Sequence, residues 1–153
     1  MKKVSIIGLG DFLKGDFCAG SCIIDALSRE RLGDSVCLAY LGSNVNYAGG
    51  LLYDRDFAII VGALNIGGPA GMVHCWDFRI FQQNAVWLAN EFSTVKSLIK
   101  ALGWTAFAGR FQESLLFLWI EPKVTEGFGI SGEVYKGLRK AIRIRISFPY
   151  KYL

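Results

Sequence analysis

The 153-residue chain contains few of the residues from which metal and hydrolytic centres are usually built. It has one histidine, His74, and four cysteines, Cys18, Cys22, Cys37 and Cys75, none of which forms a CxxC pair. This spacing identifies no Ser-His-Asp or Cys-His arrangement, and the one cysteine pair four residues apart supplies only two metal ligands. We therefore expect His74 to pack on a strand and the cysteines to be reduced thiols.

Charge is also scarce, because charged residues make up 20% of the chain and the net charge is only +4. No basic motif with interleaved aromatic residues is present, so we expect no nucleic-acid partner. Only seven uncharged residues separate Lys3 from Asp11, which is too short for a secretion signal. Residues 57–76 lack charged side chains, but their glycines and Pro69 would interrupt a membrane-spanning helix. We expect a cytoplasmic protein without a membrane span.

Apolar residues, by contrast, make up 52% of the sequence. A chain of this length can bury a substantial core on its own, and we expect one domain over residues 1–153. The surplus of apolar side chains suggests that part of the surface is covered by a partner protein or by a second copy of the chain.

Short apolar runs predict five strands, over residues 4–8, 35–41, 57–61, 71–78 and 115–120. Helices are predicted after Asp16, over residues 90–102 and over residues 131–144, with Asp16, Asn90 and Ser131 as caps, Glu91 in a first turn and Gly103 as a stop. Residues 144–148 alternate in polarity and either add an edge strand or hang free. Apolar strands alternating with helices predict an α/β fold, a mostly parallel twisted sheet of about five strands with helices on both faces.

Functional residues of such sheets lie where the strands end, here between Gly8 and Phe17 and between Gly62 and Gly68. The segment Gly8-Leu9-Gly10 has only the start of a dinucleotide fingerprint, because Leu13 stands where the third glycine is needed. These glycines therefore indicate a tight turn after the first strand rather than a nucleotide site.

Four segments, in order, match a known pattern. Residues 7–20 read IGLGDFLKGDFCAG, residues 59–73 read IIVGALNIGGPAGMV, residues 120–122 read IEP and residues 129–134 read GISGEV. The first segment places Gly8, Gly10, Leu13, Asp16 and Gly20 as in the opening of the hydrogenase maturation peptidases. The others resemble the third strand and Pro-Gly turn, the Gln-Pro turn and the last helix start of that family, so the resemblance spans almost the full chain.

That resemblance implies the family's α/β fold and an activity in which nickel–iron hydrogenase large subunits lose a C-terminal tail. It also places the three nickel-binding residues of the family at Phe17, at Gly62 and around Asn90 or Glu91, while Asp11 replaces an asparagine. Phe17 and Gly62 carry no side-chain lone pairs, and a divalent transition metal needs about three protein ligands. We therefore expect no cofactor, with nickel held by Asp11, Asp16 and Glu91 as the alternative.

Three functions remain open at this point. The chain is a non-cleaving assembly factor that binds a hydrogenase-type large subunit, or an endopeptidase with relocated ligands and Asp16 and Asp11 as catalytic candidates, or a subunit-like module. The aromatic residues Phe78, Phe81, Trp87 and Phe92 motivate the third function, and a homo- or hetero-oligomer is expected in that case. The predicted binding edge consists of Gly10, Asp11, Asp16, Phe17, Gly62, Asn65, Asn90 and Glu91.

Overall fold

The computed structural model describes residues 2–11, 13–42, 45, 48–52, 54–106 and 115–151. Within these residues five strands form one sheet, in the order β2-β1-β3-β5-β4. The strands are β1 (Val4–Leu9), β2 (Val36–Gly42), β3 (Phe57–Ala63), β4 (Val73–Asp77) and β5 (Leu115–Ile120). Neighbouring strands pair in parallel except β4, which runs antiparallel to β5 at one edge. The predicted mostly parallel sheet is confirmed.

Helices cover both faces of this sheet. They are α1 (Ala19–Ser28), α2 (Ala48–Leu52), α3 (Phe78–Glu91), α4 (Ser93–Ala106) and α5 (Gly132–Lys151), with a 3-10 turn at Gly15–Cys18. Alternate strand residues enter different cores: Ile60 packs with α2, α3 and α4, and its neighbour Ile59 packs with α1 and α5. In the part of the chain described, no helix is both long and apolar enough to cross a lipid bilayer.

The structure corrects the prediction for the middle of the chain. A single helix beginning at Asn90 is wrong, because α3 ends at Glu91 and α4 begins at Ser93. Asn90 and Glu91 therefore lie in a last turn and not in a first turn. Gly103 does not stop a helix either, since α4 continues to Ala106.

Helix α3 itself was not predicted. It begins after Asp77, whose Oδ1 accepts a hydrogen bond of 2.9 Å from the backbone N–H of Ile80. Its buried face consists of Phe78, Phe81 and Leu88, so two of the four aromatic residues noted in the sequence are core residues.

The C-terminal segment also differs from the two possibilities left open. Residues 144–148 belong to α5, which runs to Lys151, and they form no edge strand. Ser131 directly precedes α5 as predicted, and its carbonyl accepts a hydrogen bond from the N–H of Tyr135.

Candidate functional site

A cavity of about 210 Å³ opens where β1, β3 and β5 end and α4 begins. Five residues of the predicted binding edge line it: Gly10, Asp11, Phe17, Gly62 and Glu91. The other lining residues are Leu9, Lys14, Ala63, Leu64, Phe92, Ser93, Thr94, Val95 and Trp119. The cavity therefore lies at the carboxyl edge of the sheet, where parallel α/β proteins usually place their sites.

The positions that the family resemblance assigns to nickel binding converge on this cavity. Phe17, Gly62 and Glu91 are far apart in sequence and all three line it, whereas Asn90, the alternative for the third position, does not. Phe17 contributes a ring and Gly62 no side chain, so only the exposed carboxylate of Glu91 offers lone pairs among the three. Nowhere in the described ranges do three His, Cys, Asp or Glu residues form a group that could hold a metal ion. The described residues that line the cavity do not fit a nickel ion.

Trp119 fills the space beside Gly62. The two residues pair across β3 and β5, and a Cβ atom at position 62 would lie 3.2 Å from Cζ3 of Trp119 and 3.4 Å from Cβ of Leu9. The indole is 1% exposed and stacks on Phe117 at a ring-centroid distance of 5.6 Å. A carboxylate side chain at position 62 would require Trp119 to move.

Asp16 performs a structural role, and the prediction that it caps the following helix is wrong. Its Oδ2 accepts hydrogen bonds from the N–H groups of Lys123 (2.8 Å) and Val124 (2.7 Å) and from Oγ of Ser131 (2.8 Å). Its Oδ1 accepts one from the N–H of Ser131 at 2.7 Å. Cys18 occupies the N-cap of α1 and makes no side-chain capping bond.

The environment keeps Asp16 ionised. Burial alone would raise the pKa of this carboxyl, but the hydrogen bonds from Val124, Ser131 and Lys123 outweigh it and hold the pKa below its usual value. Asp16 is fully buried and does not line the cavity. Its oxygens are engaged by the protein's own donors, so they are not directed at a ligand.

Of the remaining predicted site residues, one lines the cavity and two do not. Asp11 lines the cavity, and its Oδ1 accepts a hydrogen bond of 2.9 Å from the N–H of Leu13. Asn65 follows β3 and Asn90 lies near the end of α3; both are exposed and neither lines the cavity.

Sequence reasoning missed Glu121, which follows β5 and is fully buried. Its Oε1 accepts hydrogen bonds from the N–H of Gly68 at 2.9 Å and of Ile66 at 3.1 Å, and lies 2.9 Å from Nε2 of His74. Glu121 thus holds the loop after β3. His74 packs on β4 with one ring nitrogen satisfied, as predicted. A glutamate directly after a fully apolar strand was the available signal.

Two of the cysteines are adjacent in space. The Sγ atoms of Cys18 and Cys22 lie 3.8 Å apart, and both thiols are free. Burial, reinforced by the neighbouring Cys18, raises the pKa of the Cys22 thiol to about 12, so it is protonated at neutral pH. A neutral thiol is a poor metal ligand and a poor nucleophile.

The structure has the fold of the hydrogenase maturation endopeptidases. The hydrogenase maturating endopeptidase HybD from E. coli is similar with a TM-score of 0.86 at 21% sequence identity, over 98% of this chain and 93% of that chain. HybD from Thermococcus kodakarensis, a [NiFe] hydrogenase maturation protease, matches with a TM-score of 0.75 at 21% identity, over 95% of this chain and 98% of the other. A hydrogenase 2 maturation peptidase from a Thaumarchaeota archaeon gives 0.64 at 20% identity, over 95% and 97%.

Comparison with protein-family models and with curated protein sequences finds no match. At the identities above, the structural likeness establishes the fold and leaves the activity to be argued from the site.

Proposed function

We propose that this chain is a divergent, non-cleaving relative of the hydrogenase maturation endopeptidases, and that it binds a nickel–iron hydrogenase large subunit, or a relative of one, as a cytoplasmic assembly factor. One observation carries the proposal. Phe17, Gly62 and Glu91 line a single cavity at the edge of the sheet, and of these three side chains only that of Glu91 can donate a lone pair to a metal.

The ligand count disfavours an endopeptidase with relocated ligands. That alternative needs Asp11, Asp16 and Glu91 to bind one ion together. The carboxylate of Asp16, however, does not line the cavity and accepts four hydrogen bonds from other parts of the protein. Two carboxylates, Asp11 and Glu91, would remain. Tight binding of a divalent transition metal requires about three protein ligands in a defined geometry.

The positions of the four aromatic residues argue against the third function, a subunit-like module. Phe78 and Phe81 are buried in the core, and Phe92 is half-buried against it. Of these four residues only Trp87, at 41% exposure, presents a large part of its ring to solvent. The four aromatic residues therefore do not form a shared exposed face for a subunit contact.

Metal binding is the first experiment. We expect elemental analysis of the purified protein to show no stoichiometric metal, and calorimetry with Ni²⁺ or Cd²⁺ to show no micromolar binding. One tightly bound ion that is lost in Glu91→Gln, and retained in Glu126→Gln at an exposed position outside the cavity, would support the relocated-ligand endopeptidase instead.

Cleavage is tested on a large-subunit precursor. The precursor should co-purify with this protein, and its intact mass should remain unchanged after incubation. Shortening of the precursor from its C-terminus, abolished by Asp11→Asn or Glu91→Gln, would overturn the non-cleaving assignment. Absence of any complex would overturn the assignment of the partner.

A further inference from the structure

The geometry points to the cavity as a receptor for one apolar side chain, aromatic or branched aliphatic, carried by an extended and basic segment of the bound protein. The identity of that protein rests on the proposed function, whereas the chemistry of the segment follows from the cavity. The same space that a nickel site would need is lined here largely by carbon.

The size and lining of the cavity favour a single side chain. Its volume is about 210 Å³, below the range of roughly 300–1,000 Å³ typical of sites for small molecules and cofactors. Seven of its residues have apolar side chains: Leu9, Phe17, Ala63, Leu64, Phe92, Val95 and Trp119. Burial of an apolar side chain against such a lining is favourable because it removes hydrocarbon surface from water.

Trp119 supplies a probe of the cavity. Its indole is 1% exposed, and its Nε1 is buried without a hydrogen-bond partner among the described residues. The N–H group is therefore closed off from solvent and is not presented to a ligand, although Trp119 forms part of the cavity wall. A side chain inserted against that wall changes the surroundings of the indole, so the N–H resonance of Trp119 reports on occupation of the cavity.

The charges at the mouth of the cavity indicate the flanking residues. Asp11 and Glu91 contribute two carboxylates and Lys14 contributes one ammonium group. Glu91 is exposed and forms no ion pair within the described part of the chain. This net negative rim favours a segment with lysine or arginine on either side of the apolar residue and disfavours an acidic one.

Blocked pentapeptides test the chemistry directly. The probe is Gly-Lys-Phe-Lys-Gly, with Gly-Lys-Ala-Lys-Gly and Gly-Glu-Phe-Glu-Gly as controls. We expect the first peptide to shift the indole N–H resonance of Trp119, assigned with Trp119→Phe, in a titration followed by NMR. Both control peptides should bind at least about tenfold more weakly. Equal shifts with all three peptides, or none with any, would overturn the inference.

Two variants link the cavity to the protein partner. Ser93→Phe fills the cavity from its rim, and Gln83→Phe places the same ring at an exposed position on α3 outside it. Ser93→Phe should abolish the peptide shift and weaken capture of a large-subunit precursor, and Gln83→Phe should change neither. Glu91→Lys, which leaves the core untouched, should reverse the preference between the basic and acidic peptides.

The outcomes separate the two proposals. If the precursor binds the native protein and Ser93→Phe equally and no peptide shifts Trp119, the receptor inference is overturned and the proposed function stands. If the basic peptide binds and Ser93→Phe blocks it, but no precursor is captured, the receptor stands and the proposed partner is wrong. Self-association of the pure protein that Ser93→Phe abolishes would make a second copy the occupant and would also overturn the inference.

Discussion

The carboxylate of Asp16 accepts four hydrogen bonds, and all four come from residues between 107 and 115 positions further along the chain. Three of the donors are backbone N–H groups at Lys123, Val124 and Ser131. Each would be left without a partner if the carboxylate were removed, and an unsatisfied buried donor costs about 1–3 kcal/mol. Asp16 is therefore a determinant of stability although it takes no part in the cavity.

We predict that Asp16→Asn lowers the free energy of unfolding by about 3 kcal/mol or more, because an amide presents one acceptor oxygen and adds two donors where only acceptors are needed. Urea unfolding followed by circular dichroism measures the loss. Asp25→Asn is the matched control, since Asp25 forms only an exposed ion pair with Arg29. Its effect should stay within about 0.5 kcal/mol, and equal losses in both variants would contradict the role given to Asp16.

The lowered pKa of Asp16 predicts the pH dependence of stability. A carboxyl whose pKa is lower in the folded than in the unfolded state stabilises the protein above the unfolded pKa, about 3.9 for aspartate. That contribution is lost as the pH falls through the lower folded pKa. Between pH 7 and pH 3 the native protein and Asp25→Asn should lose stability below about pH 4. Asp16→Asn should show a shallower decline over the same range, and an identical slope would argue against the assignment.

Gly62 predicts a coupled pair of substitutions. Gly62→Asp should destabilise the protein by about 2 kcal/mol or more, because its Cβ meets the Trp119 ring and a charged group enters a buried strand. In combination with Trp119→Leu, the cost of Gly62→Asp should be smaller than in the native background. A double-mutant cycle in urea gives the coupling, and Asn65→Asp, at an exposed loop position, should change stability little. Additive effects would show that the ring does not restrict position 62.

At the scale of elements, α3 depends on its N-cap residue, Asp77, for a defined start. Asp77→Ala should remove the cap on the N–H of Ile80 and reduce stability by about 1 kcal/mol, whereas Asp77→Ser should recover most of that loss. Thermal unfolding of the three proteins measures the difference. A loss in Asp77→Ser as large as in Asp77→Ala would show that the charge of Asp77 matters and that its capping bond does not.

Strands β1, β3 and β5 could be predicted because each is a short apolar run, and a strand buried on both faces needs no other signal. Helix α3 was missed although Phe78, Phe81 and Leu88 recur at helical spacing, because exposed Val86 and Trp87 obscure the pattern. The start of α4 at Ser93 was also predicted wrongly. The apolar stripe of α4 was recognised, but Asn90 is a common capping residue and attracted the predicted start.

The contacts of the candidate site could not be predicted from the sequence. The resemblance grouped Phe17, Gly62 and either Asn90 or Glu91; all of these except Asn90 line the cavity, and their part in function stays a prediction. No local pattern indicates that Asp16 bonds to Lys123 and Ser131, or that Trp119 lies over Gly62, because these contacts join residues distant in sequence. Interactions of this kind follow from the order of the strands in the folded sheet and cannot be deduced from spacing alone.

For the molecule as a whole, two large apolar side chains are exposed in the loops that follow β1 and β5: Leu13 at 64% and Phe128 at 85%. The double variant Leu13→Ser and Phe128→Ser should weaken partner binding about tenfold or more, because both side chains are largely exposed and lose hydrophobic contact only in the complex. Its urea midpoint should match that of the native protein. Val86→Ser, on the exposed part of α3, is a control that should leave binding unchanged.

The contact of Trp119 with Gly62 also affects which substitutions could convert this sequence into one that binds a metal. A carboxylate gained first at position 62 meets the indole, and a smaller residue gained first at position 119 leaves a void beside Phe117. Either single substitution lowers stability. Neither completes a set of metal ligands, because Phe17 would still lack a donor atom. Any path of single substitutions between the two sequences therefore passes through a less stable protein.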